Sequence, residues 1–175
     1  YDWLWTGDLD FMRQGGYDFI ANHLKHQDAY LKVPEIDLYE NWLNAWNTDN
    51  KWHNGGASII SSSYTWRAYQ VMADIASRLG KDDEARFYAT KAELIRTAAA
   101  EQLWSQEKGV FGEYRDRFGH KRLHDSPDLS SVYTPIDVGL VDDFSGYQML
   151  RFTESALEDI TGLPRDGRIV WSSNW

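Results

Sequence analysis

Two carboxylates in the first third of the chain, Glu40 and Asp49, lie close to large aromatic residues. Burial of a carboxyl beside an aromatic ring disfavours its charged form, so a proton stays available near neutral pH. Cleavage of a glycosidic bond needs such an acid and a second carboxylate about 6.5 to 9.5 Å away when water attacks directly. We therefore predict general acid chemistry here, with Asp49 and Glu40 as the candidate catalytic residues. The flanking aromatic residues are Tyr39, Trp42, Trp46 and Trp52.

The chain is rich in aromatic residues, which make up 15% of it and include nine Trp and ten Tyr. Aromatic faces fill protein cores, and they also stack on the C–H-rich faces of pyranose rings while polar tips hydrogen-bond hydroxyls. For a single Trp, core packing is the more frequent role. Because Trp46 and Trp52 cluster around Asp49, we predict that their loop contacts a sugar.

Composition excludes several classes of partner. The 175 residues carry a formal charge of −9 without a cluster of Lys and Arg, which argues against a nucleic acid partner. No apolar run approaches the roughly 20 residues that cross a bilayer, so no membrane partner is expected. The absence of cysteine excludes disulfides and thiolate zinc sites and leaves the compartment open. His23 and His26 lack a third ligand at a recognisable spacing, so we expect no metal and no cofactor.

Apolar residues recur at helical spacing in four segments, which predicts four helices. Asp8 is placed to cap the first helix and Gly80 to end the second. The second and third helices have a short link and should form an antiparallel hairpin, with Lys91 on a solvated face. The last helix should pack through Tyr147 and Leu150. The predicted helices are Leu9 to Leu31, Ser58 to Leu79, Asp83 to Leu103 and Phe144 to Ile160.

The segments between these helices have other patterns. Residues 110–123, VFGEYRDRFGHKRL, predict two short strands around a turn near Phe118 and Gly119. Residues 32–56 and 124–142 show no sustained period and are expected to be irregular loops. Helical hairpins with long acidic and aromatic loops at one end suit a ring of helices whose loops form a cleft.

An ordered set of segments resembles the six-hairpin, or (α/α)6-toroid, glycoside hydrolases. The segments are WTGDLDFMRQ, DLYENWLNAWNTDNKWHNGG, GVFGEYRDRFG, HDSPDLSSVYTPID and FSGYQMLRF. The nearest resemblance is to an uncharacterised bacterial branch, with α-L-rhamnosidases, glucoamylases, trehalases and processing α-glucosidases more distant. It implies an all-α fold, a partial (α/α)6 toroid with long loops and one short β-hairpin, in which residues 1–175 form a single incomplete catalytic domain.

The same resemblance implies roles for particular residues in a two-carboxylate, usually inverting, mechanism. The WTGD tetrapeptide that ends at Asp8 is similar to one in rhamnosidases whose Asp contacts sugar, and Trp5 begins it. DLYEN is similar to the glucoamylase segment whose Glu is the general acid, which corresponds to Glu40. The acid Asp of trehalases follows a Trp, and Asp49 in WNTD is the matching position. The base of these families lies near the last hairpin, which implies a base outside this chain.

Four further residues are candidate substrate-binding groups, each with a structural alternative. Asp8 can contact a sugar, cap a helix, or do both. Glu113 points either inward from a strand toward the cleft or outward to solvent. His124 can bond a sugar hydroxyl or make a structural hydrogen bond. Asp137 is either a cleft residue or a loop anchor.

Two other functions compete with the hydrolase. The aromatic loops could serve a non-catalytic carbohydrate-binding module. The segment LGKDDEARFYATKAELI resembles the turn of a helical repeat scaffold, although no second copy follows at about 34 residues. As partners we expect an oligosaccharide or glycoside substrate, together with either missing hairpins of the same domain or self-association of the chain, because a partial ring leaves apolar helix faces exposed.

Overall fold

The computed structural model describes residues 5–40 and 56–156. Within these residues, helices follow one another along the chain and short antiparallel strands lie between them. The helices are α1 (Tyr17–Tyr30), α2 (Ile59–Arg78), α3 (Asp82–Gln102), α4 (Leu129–Asp137) and α5 (Asp143–Ala156), and a π-helical turn (Met12–Gly16) precedes α1. The strands are β1 (Gly56–Ser58), β2 (Trp104–Ser105), β3 (Val110–Phe111), β4 (Tyr114–Asp116) and β5 (Leu123–His124).

The first helical segment is kinked, whereas the sequence predicted one helix from Leu9 to Leu31. Gln14 and Gly15 leave helical geometry, and Gly15 has a φ of 116°. A residue with a Cβ is strained at that φ, so glycine allows the chain to turn before α1 begins. Asp8 lies one residue before the start of this helical segment, and its Oδ1 accepts a hydrogen bond from the backbone N–H of Asp10 at 2.7 Å.

The antiparallel hairpin of α2 and α3 is confirmed and forms the centre of the core. Gly80 ends α2 with a φ of 74°, the left-handed conformation that favours glycine after a helix. The small residues of α3 allow the two helices to pack closely. Fully buried side chains at their interface include Met72, Ile75, Ala92, Ile95 and Ala99.

The strands pair differently from the single hairpin predicted at residues 110–123. β4 and β5 do pair around the turn at Gly119, but β1 adds to the other edge of β4, which gives the order β1-β4-β5. Val110 and Phe111 pair instead with Ser105 and Trp104 of β2. These partners depend on contacts between segments that are far apart in the chain. The local alternation of apolar and polar residues carries no information about such contacts.

The second predicted irregular segment, residues 124–142, contains the helix α4, so that prediction was wrong in part. Asp128 caps α4, since its Oδ1 accepts from the backbone N–H of Ser131 at 2.7 Å. Pro135 lies inside this helix, and a proline is ordinarily evidence against a helix interior. The short length and the proline together hid the helix from a periodicity argument.

The last helix, α5, packs through a different face from the predicted one. Met149 and Thr153 are buried, while Tyr147 and Leu150 are exposed. Among the helices of the described residues, none combines the length and the apolar content that a membrane span needs.

Candidate active site

The loop after α1 folds back on itself and brings Glu40 to the sheet. The backbone N–H of Glu40 donates to the carbonyl of Leu31 at 2.7 Å, and Glu40 forms an isolated antiparallel bridge with Ala57 of β1. The preceding residue is held in the same way, because the N–H of Ser58 donates to the carbonyl of Tyr39 at 2.9 Å. The backbone at Glu40 is therefore fixed by both α1 and β1.

The carboxylate of Glu40 is buried, and only one of its two oxygens has a partner among the described residues. The residue is 4% exposed, and its Oε1 is paired with the guanidinium of Arg117. Among the described residues, no group donates a hydrogen bond to its buried Oε2. One oxygen is thus held by an ion pair, and the other is buried without a donor among the described residues.

A cavity of about 360 Å³ lies against Glu40. Three segments form it: the C-terminal half of α1, the loop that contains Glu40, and the N-terminal half of α2. One lining residue, Gln27, also has a buried side-chain oxygen, Oε1, that receives no hydrogen bond from the described residues. The lining residues are His23, Gln27, Leu31, Tyr39, Glu40, Ser61, Tyr64, Thr65 and Ala68.

A partly buried polar cluster around Asp28 fixes the residue that precedes Glu40. Asp28 Oδ1 accepts from the hydroxyls of Tyr39 at 2.5 Å and Tyr69 at 2.8 Å, and Oδ2 accepts from Lys91 Nζ at 2.8 Å. Burial alone raises the pKa of Asp28, but the hydrogen bonds from Lys91 and the two tyrosines outweigh it and hold that pKa below its usual value. Lys91 was predicted on a solvated face. This was wrong, because Lys91 on α3 donates a hydrogen bond to Asp28 on α1.

The other side of Glu40 is positioned by the sheet. Arg117 follows β4 directly, and β4 pairs with β1 in the register Gly56 to Asp116. Gly56 has a φ of 127°, and a Cβ built there would lie 2.0 Å from the carbonyl oxygen of Arg115. Only glycine fits this contact, so the close pairing of β1 with β4 places Arg117 beside Glu40.

Several predicted site residues do not meet at this cavity. Asp49, Trp46 and Trp52 lie outside the described residues. Trp5 is 88% exposed, and Asp8 is exposed with its side chain hydrogen-bonded to the backbone N–H of Asp10. Neither belongs to the cavity lining.

The remaining three candidates have distinct surroundings. Glu113 is buried, which excludes the solvent-facing alternative for that residue. His124 Nε2 lies 2.9 Å from Asp116 Oδ1 and its ring stacks on Tyr114 at a centroid distance of 4.0 Å, which supports the structural alternative. Asp137 is exposed at the last residue of α4.

The structure adds groups that the sequence did not single out, namely Gln27, Asp28 and Arg117. Asp28 and Gln27 lie on a helix whose polar residues resemble an ordinary solvated face, and Arg117 is 77 positions from Glu40. No local pattern signals contacts of that range. In the described parts of the chain, no group of three or more His, Asp or Glu side chains is placed to hold a metal ion.

Comparison with known proteins identifies the family of this chain. The family described as the mannosylglycerate hydrolase MGH1-like glycoside hydrolase domain matches residues 17–151. N,N'-diacetylchitobiose phosphorylase of Vibrio proteolyticus is 27% identical over 114 residues, which cover 61% of this chain and 14% of that protein.

A solved structure, the family GH78 rhamnosidase of Bacillus sp. GL1, superposes with a TM-score of 0.67 at 15% identity over 86% of this chain and 15% of that one. The chain therefore spans about one seventh of either relative's length. The structural likeness confirms the predicted partial toroid fold. On the match over residues 17–151, this chain belongs to the MGH1-like glycoside hydrolase domain family of the six-hairpin glycosidases.

Proposed function

We propose that this chain supplies one wall of a glycosidase active site that cleaves glycosides or oligosaccharides by carboxylate acid–base chemistry with inversion. The observation that supports this most directly is Glu40, whose buried carboxylate lines a cavity with one oxygen paired to Arg117 and the other unpartnered among the described residues. Membership of a glycoside hydrolase family supplies the reaction class.

The reaction requires two carboxyl groups with opposite roles. The acid gives its proton to the glycosidic oxygen as the bond to the anomeric carbon breaks. The base takes a proton from a water molecule that attacks this carbon from the opposite face. Glu40 and Asp49 are the candidate acids, and we place the base in a part of the protein outside this chain.

The relatives suggest a class of substrate. The names of the matched family and of both relatives refer to glycosides, so we propose a glycoside without assigning the sugar. Aromatic side chains stack on sugar rings and polar ones bind hydroxyls. The proposed substrate contacts are Trp5, Trp46 and Trp52 for stacking, and Asp8, Glu113 and Asp137 for hydroxyls.

Leaving-group dependence identifies the acid. A general acid matters most when the departing alcohol is a poor leaving group, so its loss should affect alkyl glycosides far more than dinitrophenyl glycosides. We expect either Glu40→Gln or Asp49→Asn to lower kcat/KM for a methyl or disaccharide substrate by about 10² to 10⁴. The same variant should lower it by less than about tenfold for the dinitrophenyl substrate.

The control is Glu35→Gln, a change of the same type at an exposed position of the same loop, which should leave both rates unchanged. NMR of the first product shows the anomeric outcome, and inversion is expected. Equal losses on both substrates in both variants would argue against an acid at either position. Cleavage that depends on inorganic phosphate would replace hydrolysis with phosphorolysis.

A further inference from the structure

Helix α1 presents a row of aromatic and imidazole rings on the side that faces away from the core. Phe19 and Tyr30 are 75% and 72% exposed, and the rings of His26 and Tyr30 lie 4.4 Å apart between their centroids. Residues spaced by four, three and four positions lie above one another on a helix, and this row extends over about 16 Å. Its members, all exposed, are Phe19, His23, His26 and Tyr30.

Helix α5 presents a face of the same kind. Its exposed row has the same spacing and consists of Asp143, Tyr147, Leu150 and Glu154, and Phe144 beside this row is 69% exposed. Both helices have 14 residues. The two faces therefore match in length and in spacing, and each contains two large aromatic rings.

The two faces belong to parts of the fold with different neighbours. The main contacts of α1 are with the π-helical turn and α2, whereas those of α5 are with α4 and β3. Both faces stay exposed in a single copy. Contact between the two faces therefore joins α1 of one copy to α5 of another. Such a heterologous contact continues beyond a dimer, because each end of the assembly retains one free face.

Charged residues beside the two faces favour one direction of packing. On α1, Asp18 and Lys25 lie seven residues apart in the exposed row next to the aromatic one. On α5, Asp143 and Arg151 are also exposed and lie eight residues apart. Antiparallel packing brings Lys25 opposite Asp143, and it brings Asp18 opposite Arg151. Parallel packing would place like charges together, which disfavours that arrangement.

We propose that α1 of one copy packs antiparallel against α5 of a second copy, so that the chain associates head to tail through these two faces. Burial of the aromatic rings stabilises the contact, and the charges select its direction. Because Arg151 already pairs with Glu154 in its own helix, the pair of Lys25 and Asp143 contributes most to that selection.

Sedimentation velocity with two complementary variants tests the head-to-tail arrangement. The α1 variant carries Phe19→Ser and Tyr30→Ser, and the α5 variant carries Phe144→Ser and Tyr147→Ser. The parent should form species larger than a dimer as its concentration rises. Each variant alone should sediment as a monomer. An equimolar mixture should form a dimer and nothing larger, because one intact face of each kind remains.

Charge reversal tests the antiparallel direction. Lys25→Glu should weaken association of the parent by about tenfold, because it places two carboxylates opposite each other. Adding Asp143→Lys to the same chain restores opposite charges at every contact and should restore association. Lys121→Glu, the same change at an exposed turn outside both faces, should leave association unchanged. Thermal unfolding of each variant checks that the fold is intact.

Three results would overturn the proposal. The first is a parent that stays monomeric at high concentration. The second is an α1 variant that still dimerises, since α5 would then contact a second α5. The third is a mixture of the α1 and α5 variants that remains monomeric. None of the substituted residues lines the cavity beside Glu40, so these results leave the proposed hydrolysis unaffected.

Discussion

Asp28 shows how a single side chain can hold a candidate active site in place. It lies on α1, and its carboxylate receives hydrogen bonds from Tyr39 in the loop, Tyr69 on α2 and Lys91 on α3. These contacts join three helices to the residue before Glu40. The direction of Glu40 is therefore set partly by a group that does not line its cavity.

Replacement of Asp28 by Asn should destabilise the protein in a pH-dependent way. The change removes the acceptor charge that Lys91 and the tyrosines share, so we expect the free energy of unfolding at neutral pH to fall by about 2 kcal/mol. The pKa of Asp28 is lowered in the folded state, so its stabilisation is present above the unfolded pKa of about 3.9 and is lost as pH falls through the folded pKa. Urea unfolding between about pH 7 and pH 2 measures both effects.

Asp74→Asn is the matched control, because Asp74 is exposed and pairs with Arg78 along one helix at 3.1 Å. Its effect should stay within about 0.5 kcal/mol at every pH. A difference between parent and Asp28→Asn that stays constant from neutral to acid pH would show that the charge of Asp28 does not stabilise the fold.

Single residues differ in how far the sequence could predict them. Glu40 was found because an aromatic residue precedes it and because DLYEN resembles a known acid segment. Arg117, its partner, was not found, since the pairing of β1 with β4 brings it there from 77 positions away. Gln27 has no sequence signal, because the burial of its side-chain oxygen depends on tertiary packing.

At the scale of elements, the small sheet connects the two segments that flank the α2–α3 hairpin. β1 precedes α2 and β4 follows α3, so their pairing ties the Glu40 loop to the segment that contains Arg117. Gly56 is the closest point of this pairing, with its Cα hydrogen facing the carbonyl of Arg115.

Gly56→Ala should therefore separate β1 from β4. The new methyl group would lie 2.0 Å from a backbone oxygen that cannot move without breaking the sheet, and we expect a loss of about 3 kcal/mol in the free energy of unfolding. Gly80→Ala is the control, since Gly80 also has positive φ but no atom within 4 Å of the added Cβ. Only backbone strain of about 1 kcal/mol applies there. Equal losses in the two variants would mean that the β1–β4 contact is not tightly packed.

Element prediction succeeded where periodicity was long and failed where pairing or caps decided the structure. The helices α2 and α3 span about twenty residues each, so their apolar repeat is unambiguous. In contrast, α4 depends on one cap at Asp128 and tolerates Pro135, and β1 has three residues with no alternation of burial. The kink before α1 occurs at Gly15, whose φ of 116° interrupts a repeat of apolar residues that by itself predicts a continuous helix.

At the scale of the whole molecule, the described residues leave a large aromatic surface on α5. Phe144, Tyr147 and Leu150 repeat at three-residue spacing and are exposed by 69%, 61% and 43%. Contiguous apolar surface of this kind marks a place where another surface packs. In a toroid of helical hairpins, the outer and inner helices of one hairpin contact those of the next, so this side of α5 is a candidate for such a contact.

Self-association of this 175-residue chain through α5 is the consequence we expect in solution. Phe144→Ser combined with Tyr147→Ser should shift sedimentation from a concentration-dependent mixture toward a monomer, because the two rings supply most of the exposed apolar area on that side. The thermal midpoint should change little, since neither ring is part of the buried core.

Phe118→Ser serves as a control at an exposed aromatic of the β4–β5 turn and should leave the association unchanged. A parent chain that sediments as a monomer at high concentration would mean that α5 does not mediate self-association. The exposed aromatic side of α5 would then be expected to pack against another hairpin of the same domain.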